Sequence, residues 1–354
     1  MTSLRKVVRV ASYVPTTVSE DVPVGAPDED AFTFGATAVE RARAGRREEP
    51  GPVSVHLFGE FPSVADWGFS AVLGRGADVV RHPRDAGELV AALRSLEEGT
   101  GAPAFLVAAE LPERVTGRTS KTAGHGAAAV AYLLEDSEES IPFPFPKSGA
   151  ARTAVSATLR LGDISKDLPR SVTFVGDWDG KPSIGWAVDK TLVRKAGDEG
   201  LAAVSEGAYV PRPRYLENLP SRWRFLAEMC GACQGTTFPA RGVCRRCGRT
   251  DRLTPLTLPY DGGRVVAVTT VGKGGQPTEF DAQVEALGPY DVALVELARG
   301  MRVTLQATDA PPGSLKVGDR VDTRLRRLYP MEGEWRYGRK AVPVRRSVAP
   351  SSKA

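Results

Sequence analysis

Cysteine and histidine are scarce in this chain. Its 354 residues include four cysteines, all between positions 230 and 247, and three histidines. A cysteine nucleophile is therefore excluded from the rest of the chain, and a general base must come from very few imidazoles. A Gly-x-Ser-x-Gly segment, which would place a nucleophilic serine on a strand-to-helix turn, is also missing. These absences argue against independent catalysis.

Long apolar runs are missing as well. The run from Phe105 to Ala109 is far shorter than the roughly 20 residues of a membrane-spanning helix. Arg5, Lys6 and Arg9 interrupt the first residues, so we predict neither a signal peptide nor an anchor. The net charge of +4 is mild and neither requires nor excludes a polyanionic partner. We expect a cytoplasmic protein of two or three domains with no membrane partner.

The four cysteines form the pattern Cys230-x2-Cys233-x10-Cys244-x2-Cys247. Disulfides need an oxidising compartment, and a redox Cys-x-x-Cys usually occurs singly at the start of a helix. Two such pairs joined by strand-turn sequence favour a closed, tetrahedral thiolate site that stabilises the fold. We predict a structural zinc ribbon, with iron in the same S4 geometry as the alternative. Gly231 and Gly248 stand where the metal-binding turns need a tight backbone.

The first part of the chain alternates short apolar runs with amphipathic helices, the pattern of a layered α/β domain. One predicted helix covers Asp28 to Ala44, with Asp28, Glu29 and Asp30 in its first turn. A second begins at a capping box of Asp85 and Glu88 and has an apolar face formed by Leu89, Ala92, Leu93 and Leu96. Strands are predicted at Lys6 to Tyr13, Ser54 to Phe58, Ala77 to Val80, Pro103 to Ala109 and Ala128 to Leu134.

The rest of the chain is richer in strand patterns. Proline-rich residues 141–146 indicate a loop, and residues 149–210 offer strand-like sequence at Ala154 to Leu161 and Ser171 to Gly176, then a helix at Val188 to Lys195. A short helix is predicted over Tyr215 to Met229. Beyond the cysteines, a small barrel is indicated by strands at Arg264 to Val271, Tyr290 to Glu296, Met301 to Gln306, Arg320 to Arg326 and Ala341 to Val344.

The second half resembles the zinc-ribbon/OB-fold acyl-CoA-associated family over about residues 211–345. The matching strings, in the family's order, are Tyr215 to Leu219, Cys230 to Cys233, Phe238 to Arg241, Cys244 to Gly248, Gly263 to Ala267 and Val292 to Leu297. The resemblance implies a helical hairpin, a rubredoxin-like zinc ribbon and an OB barrel. It also implies a non-catalytic subunit that helps hold coenzyme A thioesters beside thiolases (acetyl-CoA acetyltransferases), 3-hydroxy-3-methylglutaryl-CoA synthases or lipid-transfer-type aldolases.

The first half resembles archaeal-type 3-hydroxy-3-methylglutaryl-CoA synthases at Val8 to Pro15, Asp28 to Ala31, Phe105 to Glu110 and Gly124 to Ala129. This implies half of a thiolase-type fold. In that superfamily the nucleophilic cysteine stands at the N-terminus of the central helix, but residues 81–88 contain none here. The half of the fold that brings the acid/base histidine is replaced by the ribbon and barrel, so the family's Claisen chemistry is not expected.

The predicted architecture is therefore α/β plus all-β. Its parts are a thiolase-like half domain without the nucleophile (1–146), a poorly defined extension (147–210), a helical lead-in with the zinc ribbon (211–252), an OB-fold barrel (253–345) and a tail (346–354).

Arginines crowd around the cysteines, with only Glu228 and Asp251 to offset them: Arg222, Arg224, Arg241, Arg245, Arg246, Arg249 and Arg252. A guanidinium group binds phosphate oxygens bidentately. We predict that the phosphates of a coenzyme A thioester contact Arg224, Arg241, Arg245 and Arg246. A solvated basic face and pairing with acidic residues of a partner subunit are the alternatives. No catalytic residue is predicted, and His56, His82 and His125 are interpreted as structural or surface histidines, with His82 in a loop.

The predicted function is a zinc-binding accessory or scaffold subunit that pairs with a thiolase-superfamily enzyme and helps bind or channel acyl-CoA. One alternative is an acyl-CoA enzyme, a synthase, acyltransferase or hydrolase, that is active only in a complex. Another is a ribbon/OB protein that binds single-stranded nucleic acid. The second alternative is disfavoured because a binding groove would be repelled by the barrel's acidic residues Glu279, Asp281, Glu285, Asp291 and Glu296.

Overall fold

The computed structural model describes residues 4–13, 18–19, 22–23, 28–46, 51–83, 86–97, 102–110, 128–137, 173–175, 210–331 and 333–344. The chain divides into two units, Met1–Gly197 and Asp198–Ala354. Both units combine helices with β-sheets, so the predicted mixed α/β character is confirmed. The finer domain boundaries stay predictions.

The first unit is built on a six-stranded sheet. Its strands are β1 (Leu4–Tyr13), β4 (Val53–Phe58), β5 (Ala77–His82), β6 (Ala104–Glu110), β7 (Ala128–Ser137) and β8 (Thr173–Val175), with a separate two-residue pair formed by β2 (Val18–Ser19) and β3 (Val22–Pro23). The order across the sheet is β5-β4-β6-β7-β1-β8. β4 runs parallel to β5 and β6, whereas β7 runs antiparallel to β6 and β1. The strands predicted between residues 6 and 134 are confirmed with small shifts at their ends.

The described helices of this unit are α1 (Ala31–Arg43), α2 (Ala65–Leu73) and α3 (Ala86–Glu97). α1 begins later than predicted, because a capping box fixes its start at Asp30. The Asp30 side chain accepts the Thr33 N–H, and Thr33 Oγ1 accepts the Asp30 N–H, both at 2.9 Å. Asp28 and Glu29 therefore lie outside the first turn, and Glu29 is buried, where it accepts the Tyr13 hydroxyl.

The apolar face predicted for α3 is confirmed. Leu89 and Leu93 are buried in a core that also includes Phe58, and Ala92 and Leu96 pack against it. α2, in contrast, has no counterpart among the predicted elements. Its N-cap residue makes no side-chain capping bond, and Gly68 breaks the helix-forming sequence. A Cβ at Gly68 would lie 2.6 Å from Phe32 Cζ, so tertiary packing rather than local propensity selects this residue.

The second unit contains two sheets and three described α-helices. Its elements are α4 (Arg212–Glu217), α5 (Leu219–Arg224), β9 (Leu226–Cys230), β10 (Thr236–Thr237), β11 (Leu253–Thr257), β12 (Gly263–Val271), α6 (Asp281–Leu287), β13 (Tyr290–Glu296), β14 (Arg302–Gln306), β15 (Arg320–Met331) and β16 (Glu334–Pro343). The small sheet has the order β10-β9-β11, and the larger one has the order β14-β13-β12-β15-β16. A parallel bridge between Ala307 and Ala341 joins its two ends, with the Thr308 N–H donating to Ala341 O at 2.9 Å, and closes the sheet into a barrel.

The helix predicted over Tyr215 to Met229 is confirmed up to Arg224, where it is divided into two short helices, and is wrong beyond that residue. The chain forms α4 and α5, and then Phe225 adopts a left-handed conformation with φ of 50° that ends α5. Residues 226–230 continue as β9, paired on both sides. In the barrel, the last two predicted strands are parts of the longer β15 and β16, and α6 was not among the predicted elements. The predicted elements at Ala154 to Leu161 and Val188 to Lys195, and the 141–146 loop, lie outside the described residues.

Arg339 connects the helices of the second unit to its barrel. Its side chain is 4% exposed, stacks on the Tyr260 ring at 3.5 Å from the centroid and lies over Phe225. Its Nε donates to the Trp223 carbonyl, and Nη1 donates to the Thr323 carbonyl at 3.4 Å.

No described helix is long and apolar enough to span a membrane.

We expect Arg339→Ala to lower the free energy of unfolding by about 3 kcal/mol or more, because it removes the donor to the Trp223 carbonyl and leaves a cavity beside the Tyr260 and Phe225 rings. Arg264→Ala, on the exposed side of β12, is the matched control and should change it by less than about 0.5 kcal/mol. Urea unfolding of the metal-loaded chain measures both, and equal midpoints for the two variants would contradict this role of Arg339.

Candidate metal centre

The four cysteine sulfurs converge in the second unit. Their Sγ atoms all lie within 4.8 Å of one another, with 3.7 Å between Cys230 and Cys247 and 3.5 Å between Cys233 and Cys244. Zinc bound to sulfur at about 2.3 Å would hold tetrahedral sulfurs about 3.8 Å apart. Because no other type of donor is present in the cluster, the residues fit one thiophilic metal ion.

Two turns with the same hydrogen-bond pattern hold the sulfurs. In the first, the Gln234 N–H donates to Cys230 O at 2.8 Å and the Cys230 N–H donates to Gly235 O at 2.9 Å. In the second, the Gly248 N–H donates to Cys244 O at 2.9 Å and the Cys244 N–H donates to Arg249 O at 2.8 Å. Each cysteine pair is therefore positioned in part by hydrogen bonds of its own backbone.

The left-handed residue of each turn follows its second cysteine. Gly248 has φ of 74°, as its predicted role requires. Gly231 does not play this role: the left-handed residue of the first turn is Gln234, with φ of 57°. Gly231 instead donates its N–H to Arg252 O at 2.8 Å, across the pair of strands β9 and β11.

Backbone N–H groups prepare two of the thiols for ionisation. The N–H groups of Cys233 and Ala232 lower the pKa of Cys230, against the effect of burial. Those of Cys247 and Arg246 lower the pKa of Cys244 to about 6. The Arg249 N–H acts in the same direction on Cys247, but its hydrogen bonds with the other thiols and its burial raise its pKa to about 12. Because metals bind the thiolate form of cysteine, these N–H groups favour metal binding at Cys230 and Cys244.

The base of this centre is continuous with the barrel. Phe225 and Ala227, which lead to Cys230, share one hydrophobic core with Val265, Ala293 and other barrel residues. On the opposite side, Arg299 donates to Thr236 Oγ1 at 2.8 Å. The metal centre therefore stands on a rigid support.

Two of the four arginines predicted to bind phosphate are engaged within the protein. Arg224 is half-buried and its Nη2 lies 3.4 Å from Thr257 Oγ1. Arg246 donates from Nη1 to the Cys233 carbonyl at 3.2 Å, and its stem covers Gly235, where a Cβ would lie 3.1 Å from Arg246 Cβ. Arg246 therefore links the two cysteine turns.

Arg241 and Arg245 have exposed side chains that make no ion pair with any acidic group among the described residues. Their backbones are fixed. The N–H groups of Arg241 and Gly242 both donate to Glu228 Oε2 at 2.9 Å, and that of Arg245 donates to Thr237 Oγ1 at 3.0 Å. By contrast, Arg249 and Arg252 share Asp251, at 3.4 and 3.9 Å. Six of the seven arginines of the cluster thus fall into three pairs: Arg224 and Arg246 bond within the protein, Arg249 and Arg252 share an acid, and Arg241 and Arg245 are exposed without an acidic partner among the described residues.

Two relatives match about a third of this chain in sequence. A DUF35 domain-containing scaffold protein of Methanothermobacter thermautotrophicus is 32% identical over 121 residues, which cover 34% of this chain and 85% of that protein. A DUF35 domain-containing scaffold protein of Pyrococcus furiosus is 31% identical over 139 residues, which cover 38% of this chain and 93% of that protein. The chain belongs to the family of DUF35 domain-containing scaffold proteins. No protein-family model matches it.

Solved structures give weaker matches to this DUF35 family member. The Ltp2-ChsH2(DUF35) aldolase aligns with 38% of this chain and 98% of its own, at 21% identity and a TM-score of 0.29. The priming β-ketosynthase of the R1128 polyketide pathway aligns with 41% of this chain and 53% of its own, at 21% identity and a TM-score of 0.33. Scores of this size do not establish a shared fold.

The histidines lie apart from the cysteines in the sequence of this DUF35 protein. His82 was predicted in a loop but is the last residue of β5, and its ring contacts that of His56 on β4. Sequence reasoning missed this contact because it depends on which strands are neighbours. His125 lies outside the described residues.

We expect Gly248→Ala to destabilise the metal-bound DUF35 unit by about 1–2 kcal/mol, because a Cβ is strained in the left-handed conformation. Gly231→Ala is the matched control: its backbone is not left-handed and its Cβ would meet Arg252 O at an ordinary 3.6 Å. Thermal unfolding of both zinc-loaded variants distinguishes the two sites. An equal loss in both would show that the turns are not built as described.

Proposed function

We propose that this chain is a zinc-stabilised accessory subunit that pairs with a thiolase-superfamily enzyme and helps bind or channel its acyl-CoA. The observation that carries the proposal is a closed four-sulfur centre on a rigid support in a chain of the DUF35 scaffold family. A closed centre has no open ligand position, so zinc there would stabilise structure without activating water or substrate.

The second unit supports a zinc ribbon followed by an OB-fold barrel. β9, β10 and β11 carry the cysteine turns, as a ribbon requires. The five-stranded sheet closes through its parallel bridge in the manner of a small Greek-key barrel. The length of the family match, 121 to 139 residues, suits residues 211–345.

The hydrogen bonds of the helical lead-in suit a scaffold. The Tyr215 hydroxyl donates to Tyr337 O at 3.0 Å and accepts the Tyr337 N–H at 2.9 Å. Trp223 Nε1 donates to the same carbonyl at 2.9 Å. Helices, ribbon and barrel would therefore present one fixed surface to a partner enzyme, and a rigid surface loses little conformational freedom on binding.

Arg241 and Arg245 are the best candidates for contact with the phosphates of coenzyme A. Both are exposed, both have fixed backbones, and neither is neutralised by an acidic side chain in the described part of the chain. Arg224 and Arg246 would support the site without touching the ligand, because their guanidinium groups already have protein partners. Of the four arginines predicted to contact phosphate, Arg241 and Arg245 remain as candidates.

Acyl transfer is left to the partner in this proposal. No cysteine occurs outside positions 230–247, and the proposed zinc would engage all four thiols. The segment that should supply the nucleophile runs from the end of β5 to the start of α3 and contains none. The chain would hold a thioester without accepting its acyl group.

The partnership can be tested by affinity purification of the full chain from its native host, with mass-spectrometric identification of what comes with it. We expect a thiolase-superfamily enzyme with the wild type and its loss with Cys230→Ser, because a structural zinc site contributes on the order of 10 kcal/mol to folding. Cys230→Ser should also lose the bound zinc. A zinc-free variant that retains its fold and its partner would contradict the scaffold role of the metal.

Coenzyme A binding can be tested by calorimetry on the zinc-loaded chain. We expect the double change of Arg241 and Arg245 to Ala to weaken binding of coenzyme A by about a hundredfold or more, since two charge-assisted contacts of about 1.5 kcal/mol or more are removed. Changing Arg249 and Arg252 to Ala is the matched control, because these side chains share Asp251. Equal weakening in both double variants would favour a diffuse basic face.

A further inference from the structure

Two residues of the small sheet that carries the cysteine turns lie directly opposite each other. β9 and β10 run antiparallel, and their register pairs Glu228 with Thr237. Directly opposed residues have their side chains on the same face of a sheet, with Cβ atoms about 4.5–5.5 Å apart. β9 is also paired with β11, where Glu228 lies opposite Pro255, so the backbone that carries Glu228 is fixed on both sides. The sheet therefore places one carboxylate and one hydroxyl side by side.

These two side chains hold the loop that contains Arg241 and Arg245. Glu228 Oε2 accepts the N–H groups of Arg241 and Gly242, both at 2.9 Å. Thr237 Oγ1 accepts the N–H of Arg245 at 3.0 Å. The backbone of each of the two arginines is therefore held by a different side chain of the same small sheet.

Glu228 lies within a cluster of arginines but makes its bonds to backbone. A carboxylate close to an arginine that binds phosphate repels the phosphate, so electrostatics alone gives no reason for an acid at this position. Among the residues that the structure describes, Glu228 forms no ion pair with an arginine side chain, and its bonds go to two N–H groups. The Arg241 guanidinium group is thus left for a ligand while its backbone is fixed.

The loop needs such attachment because of its glycine. Gly242 has φ of 70°, in the left-handed region, and glycine loses more conformational freedom on ordering than any other residue. A loop that is ordered before the ligand arrives loses less conformational entropy on binding. For each residue fixed in advance, the entropy spared corresponds to about a fivefold to thirtyfold gain in affinity.

We propose that Glu228 and Thr237 are positioning residues for coenzyme A binding, with Glu228 acting through Arg241 and Thr237 acting through Arg245. This inference rests on the proposed function, in which these two arginines contact the phosphates. Neither positioning residue touches the ligand. Each fixes the backbone of one arginine, so that the guanidinium group starts from an ordered loop.

Calorimetric titration of the full-length, zinc-loaded chain with coenzyme A, arranged as double-mutant cycles, tests the proposal. We expect Glu228→Ala to weaken binding about fivefold or more, because the loop loses the acceptor of two N–H groups. In a chain that already carries Arg241→Ala, the same change should cause less than about a twofold further loss, since Glu228 acts through that side chain. Beside Arg245→Ala, the full loss should persist.

Thr237→Val should show the opposite pattern. Valine has a shape similar to that of threonine, so the buried position stays filled while the Arg245 N–H loses its acceptor. The resulting loss of affinity should be absent beside Arg245→Ala and should persist beside Arg241→Ala.

Glu228→Gln and Thr237→Ser are the conservative controls. Each keeps an oxygen that can accept the same N–H groups, so each should bind coenzyme A to within about twofold of the wild type, or more tightly where Glu228→Gln removes a repelling charge. Unchanged zinc content and circular dichroism show that the ribbon remains folded in every variant.

Three results would overturn the proposal while leaving the proposed function intact. Equal gains in affinity in Glu228→Ala and Glu228→Gln would mean that charge alone explains the effect. Additive losses in all four pairs, or loss of zinc from Glu228→Ala, would indicate a general structural role. Wild-type affinity in both Glu228→Ala and Thr237→Val would show that neither residue matters for binding. A wild type that binds no coenzyme A would instead contradict the proposed phosphate contacts and the positioning roles together.

Discussion

The second unit depends on four thiols brought within 4.8 Å of one another. Four thiolates at such distances would repel one another strongly unless a cation lay between them. The backbone prepares for that ion: the same pair of hydrogen bonds recurs in both cysteine turns, and N–H groups directed at Cys230 and Cys244 lower the pKa of both thiols. A metal ion bound here would therefore contribute to the folding free energy of this unit.

The rest of the unit connects that centre to a closed barrel. Phe225 and Ala227 extend the barrel's core towards the ribbon, and Arg339 is buried against the Tyr260 and Phe225 rings and bonds to the Trp223 carbonyl of α5. A planar guanidinium suits this position because it can stack on an aromatic ring and donate to two carbonyls at once. The side chains of Arg339 and Arg246 thus form hydrogen bonds within the protein, whereas those of Arg241 and Arg245 are exposed to solvent. A cluster in which some arginines bond within the protein and others are exposed suits a binding surface on a scaffold.

Spacing and periodicity were sufficient to predict the cysteine cluster, the strands of the first sheet and the apolar face of α3, because these features are local. They could not predict α2, whose Gly68 is selected by contact with Phe32, or the strand β9, which forms because β10 and β11 pair with it. The left-handed turn at Gln234 escaped prediction because glutamine gives no sign of that conformation. The division among the arginines and the contact between His56 and His82 depend on tertiary geometry, which composition does not encode.

A subunit whose thiols all lie in its proposed metal centre can assist acyl transfer by binding the thioester, while another subunit carries out the reaction. X-ray absorption at the zinc edge of the purified chain tests the foundation of this account. It predicts one zinc per chain with four sulfur neighbours at about 2.3 Å. Nitrogen or oxygen in the first shell, fewer than four sulfurs, or the absence of zinc from the folded chain would contradict it.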